Sequence, residues 1–131
     1  MAEIRHVLTI LAVSDLKRAE KFYNEAFGFK TRVNVPVYIE YELPNGISFG
    51  IYKKDSFAIN TGEKPFLPPS SAISGCEIYF HCDDLDQAIR NLKKAGARIL
   101  SERKTRDWGD EAAYFADPDG NVLVLAQPIL K

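Results

Sequence analysis

Apolar and polar positions along the chain fall into two rhythms that recur in the same order twice. Val7 to Val13 is a nearly continuous apolar run, the mark of a buried strand, and Ser14-Asp15 follow it as a helix cap. Leu16, Ala19, Phe22, Tyr23, Ala26 and Phe27 then lie three and four apart, forming one face of a helix that ends at Gly28. The second copy runs from a strand over Cys76 to Cys82, through a cap at Asp83-Asp84, to a face of Leu85, Ala88, Ile89, Leu92 and Ala95 ending at Gly96. The two copies match with an offset of 69 residues.

Three further strand-like runs follow each helix. They are Thr31 to Val35, Tyr38 to Leu43 and Ile47 to Lys53 in the first copy, then Arg98 to Lys104, Ala112 to Ala116 and Asn121 to Ala126 in the second. Leu43-Pro44-Asn45-Gly46 and Asp117-Pro118-Asp119-Gly120 have the residues of a type I turn closed by a glycine bulge, so both predict tight hairpins, here 74 residues apart. The fold class is therefore α+β, a tandem pair of β-α-β-β-β modules over about 4–54 and 76–128 within one domain spanning 1–131. Residues 55–75, with Pro65, Pro68, Pro69 and four serines, read as linker.

Composition narrows the partners. In 131 residues, 17 basic and 18 acidic side chains nearly cancel, and the positive cluster from Arg90 to Arg106 is balanced by nearby acids without interleaved aromatics. Neither nucleic acid nor a membrane surface is expected as a partner. The start of the chain lacks a basic stretch followed by an apolar run, and no segment reaches the roughly 20 apolar residues of a membrane helix, so a cytoplasmic location is expected. Cys76 and Cys82, about 20 Å apart if they share a strand, read as buried thiols. Gly46-Ile47-Ser48-Phe49-Gly50 matches the serine-hydrolase elbow in letters only, because that motif needs a strand before the serine and a helix after it.

Two stretches carry a family resemblance: Ser14-Asp15-Leu16-Lys17-Arg18-Ala19 with Phe22-Tyr23 and Phe27-Gly28-Phe29, and the closing run from Trp108 to Asn121. With the repeat around them, the chain resembles the vicinal oxygen chelate superfamily, which holds glyoxalase I, bleomycin- and fosfomycin-resistance proteins and extradiol dioxygenases. The resemblance implies two modules curled into a half-barrel of mixed sheet around one cavity, with a metal ligand on the first and fourth strands of each module in metal-dependent members. By spacing, those positions are Leu8, Gly50, Glu77 and Val124. Only Glu77 has a donor, and a transition-metal site needs at least three, so neither metal nor other cofactor is expected. His6 and His81 do not rescue the site, because His81 lies roughly 13 Å along the strand from Glu77.

Pairing across the hairpins sets Tyr114 opposite Val124, Glu40 opposite Gly50 and Tyr38 opposite Tyr52. Strand alternation then gathers Tyr38, Glu40, Glu42, Tyr52, Glu77, Tyr79, His81 and Tyr114 on one face, with Trp108 on the loop leading to it. The resemblance makes this face a cavity wall. The expected function is metal-free binding of a small organic molecule, a cationic aromatic one for preference, as in antibiotic resistance by sequestration. The alternatives are a metal-dependent lyase or dioxygenase, a metal-free isomerase with Glu77 as base, or a dimerising accessory domain whose cavity is filled by its own side chains. A homodimer is expected, since half-barrels leave sheet edges to cover.

Overall fold

Burial of the two apolar helix faces against the two apolar strand sets dictates the architecture of the computed structural model, which describes residues 2–129. In chain order the elements are β1 (Leu8–Val13), α1 (Leu16–Ala26), β2 (Lys30–Val35), β3 (Tyr38–Glu42), β4 (Ser48–Lys53), α2 (Lys54–Thr61), β5 (Glu77–His81), α3 (Leu85–Lys94), β6 (Arg98–Thr105), β7 (Asp110–Ala116) and β8 (Val122–Pro128). Asp15 caps α1 by accepting from Arg18 N, and Asp84 caps α3 by accepting from Gln87 N. Gly46 and Gly120 sit at φ +84° in the two hairpin turns, the left-handed conformation that a glycine bulge requires. The α+β class and the two β-α-β-β-β modules stand as the sequence implies.

Each module makes one four-stranded sheet, in the orders β1-β4-β3-β2 and β5-β8-β7-β6, with the first pair of each parallel and the rest antiparallel. The expected cross-hairpin pairs occur: Tyr38 with Tyr52, Glu40 with Gly50 and Tyr114 with Val124. The eight strands do not join into one sheet. Across the seam between the modules, α1 packs on α3, and the Phe27 ring lies 4.9 Å from that of Phe80. One core spans both modules, built from Phe22, Tyr23, Phe49 and Ile51 on one side and Leu85, Leu92, Phe115 and Leu125 on the other.

Two expectations change. Residues 55–75 are not wholly linker, because α2 occupies their start. Its eight residues carry no buried face, so no apolar period announces it. Cys76 is exposed rather than buried, lying just before the edge strand β5, whereas Cys82 is half-buried and burial raises its thiol pKa.

A polar contact also links the modules. Asp117, in the β7–β8 turn, accepts from the Tyr23 hydroxyl of α1 at 2.5 Å and from the backbone of Asp119 and Asn121. Asp119 accepts from Ser14 N at 3.1 Å, Ser14 Oγ at 2.7 Å and the Arg18 guanidinium at 3.3 Å. Burial pushes the Asp117 carboxyl above its ordinary value, while the donors around it pull the other way.

A Tyr23→Phe variant leaves a buried carboxylate short of one donor and should lose about 1–3 kcal/mol of stability at pH 7, read by urea unfolding. The loss of the hydroxyl raises the native-state pKa of Asp117 further, so the difference from wild type is full where Asp117 is ionised. It shrinks as pH falls through that pKa. A difference that stays constant with pH would mean that Tyr23 acts by packing alone.

Candidate functional site

In each module the long helix covers one sheet face; on the other, the open face, α2 packs over part of the first module, and Leu100 and Tyr114 bury Ala112, Val122, Val124 and Ala126 of the second. The open faces carry the residues that strand alternation gathers, but in two separate groups. Tyr38, Glu40 and Tyr52 lie on the first module, and Glu77, Tyr79, His81, Tyr114 and Trp108 belong to the second.

The first group is largely satisfied by its own neighbours. Tyr38 donates to Glu40 at 2.6 Å, Arg32 reaches Glu40 at 3.4 Å and Ser48 at 3.3 Å, and Asn60 of α2 donates to the Tyr52 hydroxyl at 3.1 Å. Burial, then the bond to Glu40, raises the Tyr38 pKa. The Tyr38 ring fills the space over Gly50, so closely that a methyl group on Gly50 would stand 2.6 Å from Tyr38 Cε1.

The second group is more accessible. Tyr79 donates to Asp110 at 2.5 Å and accepts from Trp108 Nε1 at 2.8 Å, while His81 Nε2 lies 3.3 Å from the same Asp110 oxygen. Tyr79 and Trp108 keep 38% and 55% of their surface exposed, which leaves ring area for a ligand to cover. The Tyr79 hydroxyl donates to Asp110 and thereby holds that carboxyl below the usual range; His81 adds to the effect. Glu77 is exposed beside Tyr114, whose pKa is raised by burial and then by the Glu77 charge. Arg106, read from the sequence as surface charge, instead lies over the Tyr114 ring at 4.8 Å and donates to Ser101 and the Ala112 carbonyl. A hollow of about 410 Å³ lies at Glu77, Ser101 and Tyr114.

Asp110 is the member that sequence reading missed. It counts in the sequence only as one of the acids near the Arg90–Arg106 cluster, whereas the first position of β7 turns it inward to 9% exposure. Its two-residue spacing from Trp108 was the only available signal.

The four positions where chelating side chains are expected do not fit a metal. Leu8 and Val124 have no donor atoms, and Gly50 has no side chain and is overlaid by Tyr38. Glu77 alone cannot complete a coordination shell of three or more ligands. Among the described residues, no three His, Cys, Asp or Glu side chains are grouped to hold an ion.

A cavity of about 520 Å³ lies away from most of these residues. It lies at the module seam, between the helix-covered faces, and of the expected site residues only Tyr79 and His81 reach it. The cavity thus touches the second group at Tyr79 and His81, while Tyr38, Glu40, Tyr52, Glu77, Trp108 and Tyr114 lie outside its lining.

The chain matches the family profile of a glyoxalase-like domain over residues 6–129. A glyoxalase-related enzyme from Fulvimarina pelagi has 21% identity and a TM-score of 0.80, over 94% of this chain and 87% of that one. A glyoxalase/bleomycin resistance protein/dioxygenase from Nocardioides has 17% identity and a TM-score of 0.80, over 98% and 86%. TioX from Micromonospora sp. ML1 has 18% identity and a TM-score of 0.70, over 95% and 98%. At these identities the likeness is one of fold.

The network around Asp110 makes a direct prediction. Its carboxyl carbon, followed by NMR, should titrate with a midpoint below 3.8, the ordinary value. Tyr79→Phe should move that midpoint upward, because the lost hydroxyl bond favours the ionised form; an unchanged midpoint would separate Tyr79 from Asp110.

Proposed function

We propose a function for a chain that belongs to the glyoxalase-like domain family, within the vicinal oxygen chelate superfamily. It binds a small organic molecule on the open face of its second module and uses no metal to hold it. The observation that carries this reading is the chemistry of the four chelating positions, where Leu8, Gly50 and Val124 offer no donors and Tyr38 takes up the Gly50 space. A metal-dependent lyase or dioxygenase has no support from that donor set.

The residues left on the face suit an aromatic ligand. Exposed Tyr79 and Trp108 provide ring surface, and the bonds to Asp110 and between the two side chains hold them in place, so little side-chain freedom is lost on binding. His81 adds a hydrogen-bonding group at the same edge. Glu77 supplies the charge that would favour a cationic ligand; Glu40 does not, because Arg32 already pairs with it. The preference for a cation therefore rests on Glu77 and weakens with salt. Such a protein acts by sequestration in the cytoplasm, making and breaking no bond.

The chain works as a homodimer in this reading. The edges of β2 and β6 have no strand partner among the described residues, and Val35 on β2 and Ile99 on β6 are exposed. Light scattering at micromolar concentration should give twice the chain mass, and a monomer would remove this part of the proposal.

Trp108 is the sole tryptophan, so its fluorescence reports occupancy of the face. In a screen of aromatic amines, Tyr79→Ala should weaken any ligand found by about 0.5–1.5 kcal/mol, the worth of a stacked ring. Glu77→Gln should weaken cationic ligands and spare neutral ones. One equivalent of zinc, nickel, iron or manganese retained through gel filtration, with ligand binding lost on chelation, would overturn the metal-free reading.

A further inference from the structure

The two ends of the module seam are related by the internal repeat, and their chemistry differs. At one end the Asp117–Gly120 turn meets the first module's Ser14, Arg18 and Tyr23 through carboxylate hydrogen bonds. The repeat offsets place Leu43 where Asp117 stands, Asn45 where Asp119 stands, Leu92 where Tyr23 stands and Asp83 where Ser14 stands. Both turns have the same backbone form, closed by Gly46 N to Leu43 O and by Gly120 N to Asp117 O, each at 3.0 Å. Yet no hydrogen bond crosses from the Leu43–Gly46 turn to the second module among the described residues. Leu43, Asn45 and Leu92, the counterparts of the locking side chains, instead line the cavity of about 520 Å³.

We propose that this seam cavity, which adjoins the open-face group at Tyr79 and His81, is a second binding site for an uncharged aromatic molecule of roughly one or two rings, a volume within the range of small-molecule sites. Its walls contain no Lys, Arg, Asp or Glu, and its two histidines are engaged, His6 with Thr9 and His81 with Asp110, so an ionised ligand would lose its hydration with no free countercharge to replace it. Phe27 and Phe29 stack at 5.0 Å with ring planes 10° apart, and Phe80 stands 4.9 Å from Phe27, forming an aromatic wall that crosses from one module to the other. The Asn45 carboxamide oxygen is occupied by Ile47 N at 3.2 Å, which leaves its amino group to donate to a hydroxyl or a ring nitrogen. A bound molecule bridges the modules at the end that lacks the carboxylate lock.

The test uses 2-naphthol with full-length protein carrying labelled methyl groups. Expected are saturable shifts at the Leu92, Leu125 and Ala88 methyls. Ile47→Trp, on the half-exposed hairpin, should weaken binding about tenfold by filling the cavity, and Tyr114→Ala on the open face should change it by less than about twofold. Leu43→Asp with Leu92→Tyr, which rebuilds the lock, should abolish it. The proposal falls if the wild-type methyls do not shift up to the solubility limit of 2-naphthol, or if they shift equally in Ile47→Trp. It also falls if the same methyls shift on dilution of the protein alone, which would make the cavity a contact between copies. Shifts confined to Trp108 and Tyr114 would overturn the seam site and leave the open-face reading standing.

Discussion

The carboxylates of Asp117 and Asp119 carry the second module's turn into the helix start of the first, and the relative placement of the two sheets depends on that junction. No strand pairing joins the sheets, so the modules are held by a shared apolar core and by this polar contact. Apolar burial is strong but non-directional and tolerates sliding. A buried carboxylate with several convergent donors does not, because any slip leaves a charge unsatisfied. Asp117 takes two backbone amides and the Asn121 side chain from its own turn, and the bonds that cross between modules are the Tyr23 hydroxyl to Asp117 and Ser14 and Arg18 to Asp119.

From that fixed placement the open faces acquire different characters. On the first module, Arg32, Tyr38, Glu40 and Ser48 close upon themselves, and the ring over Gly50 leaves the fourth strand without a functional side chain. On the second, Asp110 is turned inward and organises Tyr79, His81 and, through Tyr79, Trp108. Both faces descend from the same pattern of alternation, and what separates them is the partner of the central carboxylate: Arg32 and Tyr38 hold Glu40 on the first, Tyr79 and His81 hold Asp110 on the second. Arg106 on Tyr114 shows the same habit as Arg32 on the first module, a cation from the outer hairpin laid across the sheet.

Much of this was legible in the chain. Cap residues, the three-and-four spacing of α1 and α3, and the two Pro-x-Gly turns each act within a few residues, so the elements and the cross-hairpin partners of Tyr38, Glu40 and Tyr114 follow from local rules. The inward turn of Asp110, the exposure of Cys76 and the fold of Arg106 over Tyr114 were not legible. Each depends on a neighbour remote in sequence or on a strand boundary shifted by a residue or two, and charge counting gives an acid or an arginine no preferred side. The helix α2 lacked a buried face and hence any periodic signal.

By itself the sequence determined the two β-α-β-β-β modules, their hairpin registers, their family and the absence of donors at three of four chelating positions, because periodicity, turn chemistry and side-chain identity are properties of short stretches. Only the tertiary structure decided that the eight strands form two sheets, that a cavity lies at the seam, and that the site residues divide into two groups. Those outcomes rest on contacts such as Tyr23 with Asp117 and Phe27 with Phe80, between residues 94 and 53 positions apart. Such contacts depend on how two apolar surfaces meet, and the pattern along either one leaves that meeting open.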